Sequence, residues 1–238
     1  MARFRHTILL EPIPRAWFEQ AVGLCFDTLV DYFTELGDPP GPDTQYELDN
    51  EATTVYLESW QRDGVTEGRS YTKADGTVTI TTFRLDSPAN PRTAVLNGDS
   101  RDLGRGTGWL SAMAGSLRLD LPTWWAGTEH KGAAPAVTAN AKHAMAHVAG
   151  TITPAPGPGG RWQVTVEVTL RGRGLLRPLV APVLLFTRAK IARAFRTAVD
   201  EFAHRWNDEV PQLLTRQPDE LRELIIAEVE RPSSTTDA

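Results

Sequence analysis

The feature that most constrains this chain is a strand followed by a long amphipathic helix, within residues 161 to 210. Val164, Val166 and Val168 alternate with Thr165, Glu167 and Thr169, the period-2 pattern of a strand with one buried face. Gly172 and Gly174 end it. A helix is then expected from near Pro178 or Pro182. Its apolar residues are Leu184, Ile191, Phe195, Val199, Phe202, Trp206 and Val210, and after Ile191 the spacings are four, four, three, four and four. Such spacing puts them on one helical face. A stripe of this length has to be covered, and the only partner of matching size in the chain is a β-sheet.

The rest of the chain supplies that sheet. Phe4, His6, Ile8 and Leu10 share one face of a first strand, which Pro12 and Pro14 stop. Residues 16 to 36 read as helical, with a break expected near Gly23. From about Thr44 to Leu121 the pattern is one of short strands. A hairpin is expected around Ala74-Asp75-Gly76, flanked by strands at Gly68 to Lys73 and Thr77 to Leu85. A short strand is expected at Ala94 to Leu96, and Leu117, Leu119 and Leu121 alternate in another. Asn97 to Gly115 and Pro122 to Asn140 read as long irregular loops, of the length usually kept for function. Ala141 to Thr153 reads as one strand. Pro218-Asp219 starts a last helix, with Leu221, Leu224, Ile225 and Val229 on its apolar face. Residues 231 to 238 are polar and expected to be disordered.

Strands in a run, bracketed by helices, indicate an α+β fold with a mostly antiparallel sheet. In this element order, and in VTVEVTL leading through RGRGLLRPL into APVLLFTRAKIARAFRTAVDEFAHRWN, the chain resembles the START-like, or SRPBCC, superfamily. That group includes lipid-transfer domains and polyketide cyclases. The resemblance implies a helix-grip fold, in which a curved antiparallel sheet wraps around the long C-terminal helix with an apolar cavity between them. It implies a START-like ligand-binding domain over residues 1–215, with residues 216–238 forming an extra short C-terminal helix and tail.

Charge and cysteine usage narrow the function classes. The formal net charge is −5, which argues against a nucleic-acid partner. The single cysteine, Cys25, allows no internal disulfide and no Cys-x-x-Cys metal site, and its apolar surroundings suggest an inert thiol. No apolar run reaches the length of a membrane-spanning helix, and the N-terminal apolar run is too short for a signal peptide, so a cytoplasmic protein without an integral membrane segment is expected.

No reaction is demanded by any cluster. His143 and His147, four apart, would share a face, but no third ligand stands at useful spacing, so no metal is expected. Gly104 to Gly108 lacks the third glycine of a dinucleotide fingerprint and any GK[ST], so no nucleotide cofactor is implied. Arg196 and Asp200 are spaced to pair on the helix. The leading expectation is binding of a hydrophobic small molecule, lipid or polyketide-like. Leu184, Ile191, Phe195 and Val199 would line the cavity, and Trp109 and Trp124, in loops, would stand at its mouth. The catalytic residues, if any, are not legible. The alternatives are a polyketide cyclase or dehydratase on the same fold, and an interaction protein without a ligand, whose last helix, residues 219 to 229, docks a partner or makes a homodimer.

Overall fold

A computed structural model describes residues 1–48, 53–74, 76–102, 112–172 and 177–230, and for residues 48, 102 and 177–186 it describes the backbone alone. In chain order the elements are β1 (Ala2–Leu10), α1 (Arg15–Glu35), β2 (Thr44–Leu48), β3 (Thr53–Ser59), β4 (Val65–Ala74), β5 (Thr77–Asp86), β6 (Thr93–Asp102), β7 (Met113–Asp120), α2 (Leu121–Glu129), β8 (Val137–His143), β9 (Ala146–Pro156), β10 (Trp162–Gly172), α3 (Arg177–Leu214) and α4 (Pro218–Val229). The strands form one antiparallel sheet in the order β1-β10-β9-β8-β7-β6-β5-β4-β3-β2. Consecutive strands are antiparallel neighbours from β2 to β10, and β1 lies on the far side of β10. The sheet is curved, and with the long C-terminal helix it makes the expected α+β helix-grip fold.

Register decides which side chains share a face, because residues directly opposite one another in a ladder point the same way. One row crosses the sheet as Phe4, Val168, Gly150, Ala139, Leu117, Leu96, Phe83, Gly68 and Leu57. Phe4 meets Phe195 of α3 with ring centroids 6.2 Å apart, so this is the inner, helix-facing side. The outer side carries Arg3, Arg5, Glu167, Arg69, Arg84 and Arg118 and is solvated.

The helix α3 runs along β1 in the same direction as the strand. Phe195 stands over Phe4, Asp200 meets His6 at 2.6 Å, and Asn207 reaches the end of the strand. There the Asn207 amide accepts a hydrogen bond from Glu11 N–H at 2.8 Å and donates one to the Leu9 carbonyl at 3.0 Å. Trp206 Nε1 donates to the Glu11 carbonyl at 2.9 Å. Thus the helix satisfies backbone groups at the end of an edge strand that has a neighbour on one side only.

The core lies at this end of the grip. Ile8, Leu10, Leu121, Trp125, Trp162, Val164 and Ala203 form a buried cluster. Trp125 meets Trp162 edge-on at 5.8 Å and Phe18 of α1 at 5.7 Å. From there α1 crosses toward the other sheet edge, stacking Phe26 on Trp60 at 4.9 Å and setting Phe33 at a tilt against Tyr46 at 4.3 Å. The last helix, α4, packs on α1, with Arg222 3.9 Å from Asp31.

Several local expectations are corrected. Gly23 does not break α1: one glycine costs about 1 kcal/mol relative to alanine, which a packed helix of 21 residues tolerates. The strand at Ala94 continues to Asp102, so much of the expected loop from Asn97 is sheet. Residues 121–129 form a helix because Asp120 caps it, accepting from Thr123 N–H at 2.9 Å, and Pro122 suits the first turn. That helix lies close on β9: a Cβ at Gly127 would come within 2.7 Å of Pro154 Cγ. The stretch from Ala141 is a hairpin rather than one strand. Its turn places His143 opposite Met113 on the inner face and His147 opposite Lys142 on the outer face, so the two histidines do not share a face. Phe202 is 46% exposed, and Ala203 takes the inward position instead. Asp200 pairs with His6, while Arg196 donates to the Ala192 carbonyl. The polar tail, residues 231–238, lies outside the described residues.

Candidate functional site: an uncovered apolar trough on the inner face

Three helices share the inner face unequally. Residues of α3 lie against β1 and β10, and α2 lies against β9 and touches β7. Aromatic side chains of α1 reach Trp125 at one end and Tyr46 at the other. Between these coverings, on β6 and β7, the inner face stays accessible. Leu96 is 47% exposed, Leu117 41% and Met113 54%. Leu96 and Leu117 stand directly opposite each other, with Phe83 beside them on β5.

The next row deepens this strip. It runs Val148, Ala141, Gly115, Gly98 and Thr81, and its glycines lie beside the larger Leu117, Leu96 and Phe83 of the row before. A Cβ built on Gly98 would meet nothing within 4 Å, so the space above it is open. An apolar wall of Leu117, Leu96 and Phe83 beside positions without side chains makes a trough, the concave shape that holds small molecules.

Its electrostatics are those of a binding surface. In the three rows led by His6, Phe4 and Ala2, no Asp, Glu, Lys or Arg stands on the inner face of the described strands. His6 is the one imidazole in those rows, at the sheet edge with its Nε2 held by Asp200, and His143 stands in the next row, opposite Met113. Among the described residues no group of three His, Cys, Asp or Glu could hold a metal ion. Burial raises the pKa of the Cys25 thiol on α1, which disfavours the reactive thiolate.

The residues expected at the site are not all brought together. Phe195 meets Phe4, and Val199 packs on the buried cluster. Ile191 is half-buried on the same helix. Trp124 is not in a loop: it sits on α2, packs on the core and meets Trp162 edge-on at 5.6 Å. Trp109 and the Leu184 side chain lie outside the described residues. Sequence reasoning missed Leu96, Leu117, Met113 and Gly98 as site residues. The alternation around Leu117 was legible, but its alignment with Leu96 comes from strand register.

Other hollows are of a different kind. One of about 720 Å³ lies where α1 approaches the α3–α4 junction, between Trp17, Leu24, Leu214 and Leu221. It is crossed by the Arg62–Asp27 ion pair at 2.8 Å, and it is not part of the grip.

No known family's sequence profile matches the chain, and no curated protein matches it. A solved structure that aligns with it is the Zhui aromatase/cyclase from Streptomyces sp. R1128. That alignment has 13% identity, covers 84% of this chain and 93% of the other, and has a TM-score of 0.20. A TM-score that low transfers no pocket and no residue. No helix among the described residues is long and apolar enough to cross a membrane.

Proposed function

We propose that the protein is a START-like binding module of the cytoplasm that holds a hydrophobic small molecule, lipid or polyketide-like, between its sheet and its long C-terminal helix. The observation that carries this reading is the accessible apolar strip of Leu96, Leu117 and Met113 on the face that a helix-grip fold normally encloses. Leaving such side chains wet forgoes about 25 cal/mol for each Å² that could be buried, and a ligand recovers it. The lack of a carboxylate or basic group in the central rows favours binding over acid–base chemistry, and so favours this reading over a cyclase or dehydratase.

The test is a thermal-shift and tryptophan-fluorescence titration of the full chain with fatty acids, acylglycerols and aromatic polyphenols. A micromolar Kd, about −8 kcal/mol, is expected for at least one class. At a hundredfold excess over Kd the folded state gains about 2.7 kcal/mol, which at this size raises Tm by roughly 5–10 °C. Gly98→Leu supplies the decisive control. Its side chain enters open space, so Tm should hold or rise while binding weakens by about tenfold or more. Binding left unchanged by Gly98→Leu would place the ligand elsewhere.

A further inference from the structure

Beyond Gly98, the inner face changes character. The next inner row runs Ser100, Thr79, Thr72 and Thr53 across β6, β5, β4 and β3. Beside it, Thr81 stands opposite Ser70 in the row of Gly98. The same strands carry Leu57, Phe83 and Leu96 inward only a few residues away. Their outer face reverses in the opposite sense: Tyr71 pairs with Ile80 there, and Tyr56 meets Tyr71 at 5.8 Å. Threonine is a good strand former. Strand propensity alone, however, does not explain why hydroxyls point into the grip while tyrosine and isoleucine point out of it.

The hydroxyls are half-buried and only partly used. Thr79 Oγ1 donates to Ser100 Oγ at 3.2 Å, and the Thr53 and Thr72 hydroxyls share one hydrogen bond at 3.1 Å. Each hydroxyl has one proton and two lone pairs, so each bonded pair keeps a proton and acceptor sites free. Among the described residues, neither Ser70 nor Thr81 has a side-chain hydrogen-bond partner. Among the described residues the row of Ser100 runs on through Met113 to His143, and neither it nor the row of Gly98 carries a Lys or Arg that could pair with an anionic guest.

We infer that the trough takes an uncharged amphiphile, with its apolar part over Leu96, Leu117 and Phe83 and an end rich in hydroxyl or carbonyl oxygens over the hydroxyls of β3 to β6. This rests on the binding reading above and narrows it: neutral oxygen-rich ends are preferred over carboxylates and over ends lacking donors. The pairs of hydroxyls both give and accept, so they match a polyol or a hydroxy-carbonyl end. A hydrocarbon end leaves them unpaired, and an ester end, which only accepts, leaves their acceptor sites without a donor.

The test compares three probes of equal chain length on the full chain by calorimetric titration, each below its micelle-forming concentration: 1-decanoylglycerol, methyl decanoate and decanoate. 1-Decanoylglycerol should bind about tenfold more tightly than either of the others, the usual discrimination when a hydrogen-bonding site meets a guest that lacks its groups. Thr79→Val keeps the branched strand-forming shape, and Ser100→Ala removes only a hydroxyl. Each should cut that preference severalfold while leaving methyl decanoate affinity unchanged. Circular dichroism checks that both variants fold, and the second serves if the first does not. Equal affinity for 1-decanoylglycerol and methyl decanoate, tighter binding of decanoate, or a preference that survives both substitutions overturns the inference while leaving the trough a binding site. Failure of all three probes to bind wild-type protein overturns the binding reading itself, and this inference with it.

Discussion

Replacing Asn207 tests how the long helix is locked to the sheet. Its side-chain amide serves two backbone groups of opposite kind, accepting from Glu11 N–H at 2.8 Å and donating to the Leu9 carbonyl at 3.0 Å. Those partners dictate the amide's orientation, since each can take only one role. Asn207→Ala removes both bonds. At about 0.5–1.5 kcal/mol net for each, the loss is about 1–3 kcal/mol. For a chain of this length each kcal/mol moves Tm by about 2–4 °C, so a fall of roughly 2–12 °C is expected. Asn207→Asp is the sharper probe because it nearly keeps the shape. One carboxylate oxygen can still accept from Glu11 N–H, but the other faces the Leu9 carbonyl with no proton between them. At neutral pH it should therefore cost at least as much as Asn207→Ala, although it removes fewer atoms. Urea denaturation followed by tryptophan fluorescence gives both values, with an unchanged m confirming that the folded state is intact. If aspartate is tolerated like asparagine, or if alanine costs less than about 0.5 kcal/mol, the amide is not the lock described here.

Two further outcomes are expected. Phe202→Ala should cost under about 1 kcal/mol because the ring is 46% exposed and, among the described aromatic rings, meets only Trp206, at 5.8 Å, whereas Phe195→Ala, which uncovers Phe4, should cost about 2–3 kcal/mol. Equal losses in denaturant melts would mean that the inward face of α3 is misassigned. Asp120 has its pKa lowered, chiefly by hydrogen bonds from the Thr123 side chain and backbone N–H. A depressed carboxylate contributes stability above its unfolded-state value and loses it as pH falls through the folded-state value. The stability gap between wild type and Asp120→Asn should therefore be largest near neutral pH and close on acidification. A gap that stays constant down to about pH 3 would show that the carboxylate's charge contributes nothing.

Much of the fold was legible because periodicity is local. The inward set of β1 and the valines of β10 follow from alternation alone, and the register pairs Phe4 with Val168 and Ile8 with Val164 as that pattern requires. The turn at Gly76 has φ +74, a conformation glycine adopts freely, so the hairpin of β4 and β5 could be read from three residues. The spacing of Ile191, Phe195, Val199, Trp206 and Val210 identified a helix and most of its inward face.

What tertiary structure decided is what depends on distant partners. Over a long helix the inward direction drifts relative to any fixed spacing, and the strand it lies on chose Ala203 over Phe202. Trp124 could have closed a loop or plugged a core; the Asp120 cap and the close contact of Gly127 with Pro154 put it on a packed helix. The turn between β8 and β9 sent His143 and His147 to opposite faces. The candidate site is the furthest from the sequence. Leu96, Leu117, Gly98 and the inner hydroxyls belong to five strands, and each strand's own pattern says only that one face differs from the other. Register between strands aligned those faces into one trough, and among the described residues the placement of the helices left Leu96, Leu117 and Met113 exposed. Both are set by the sum of many long-range contacts, which no local pattern contains.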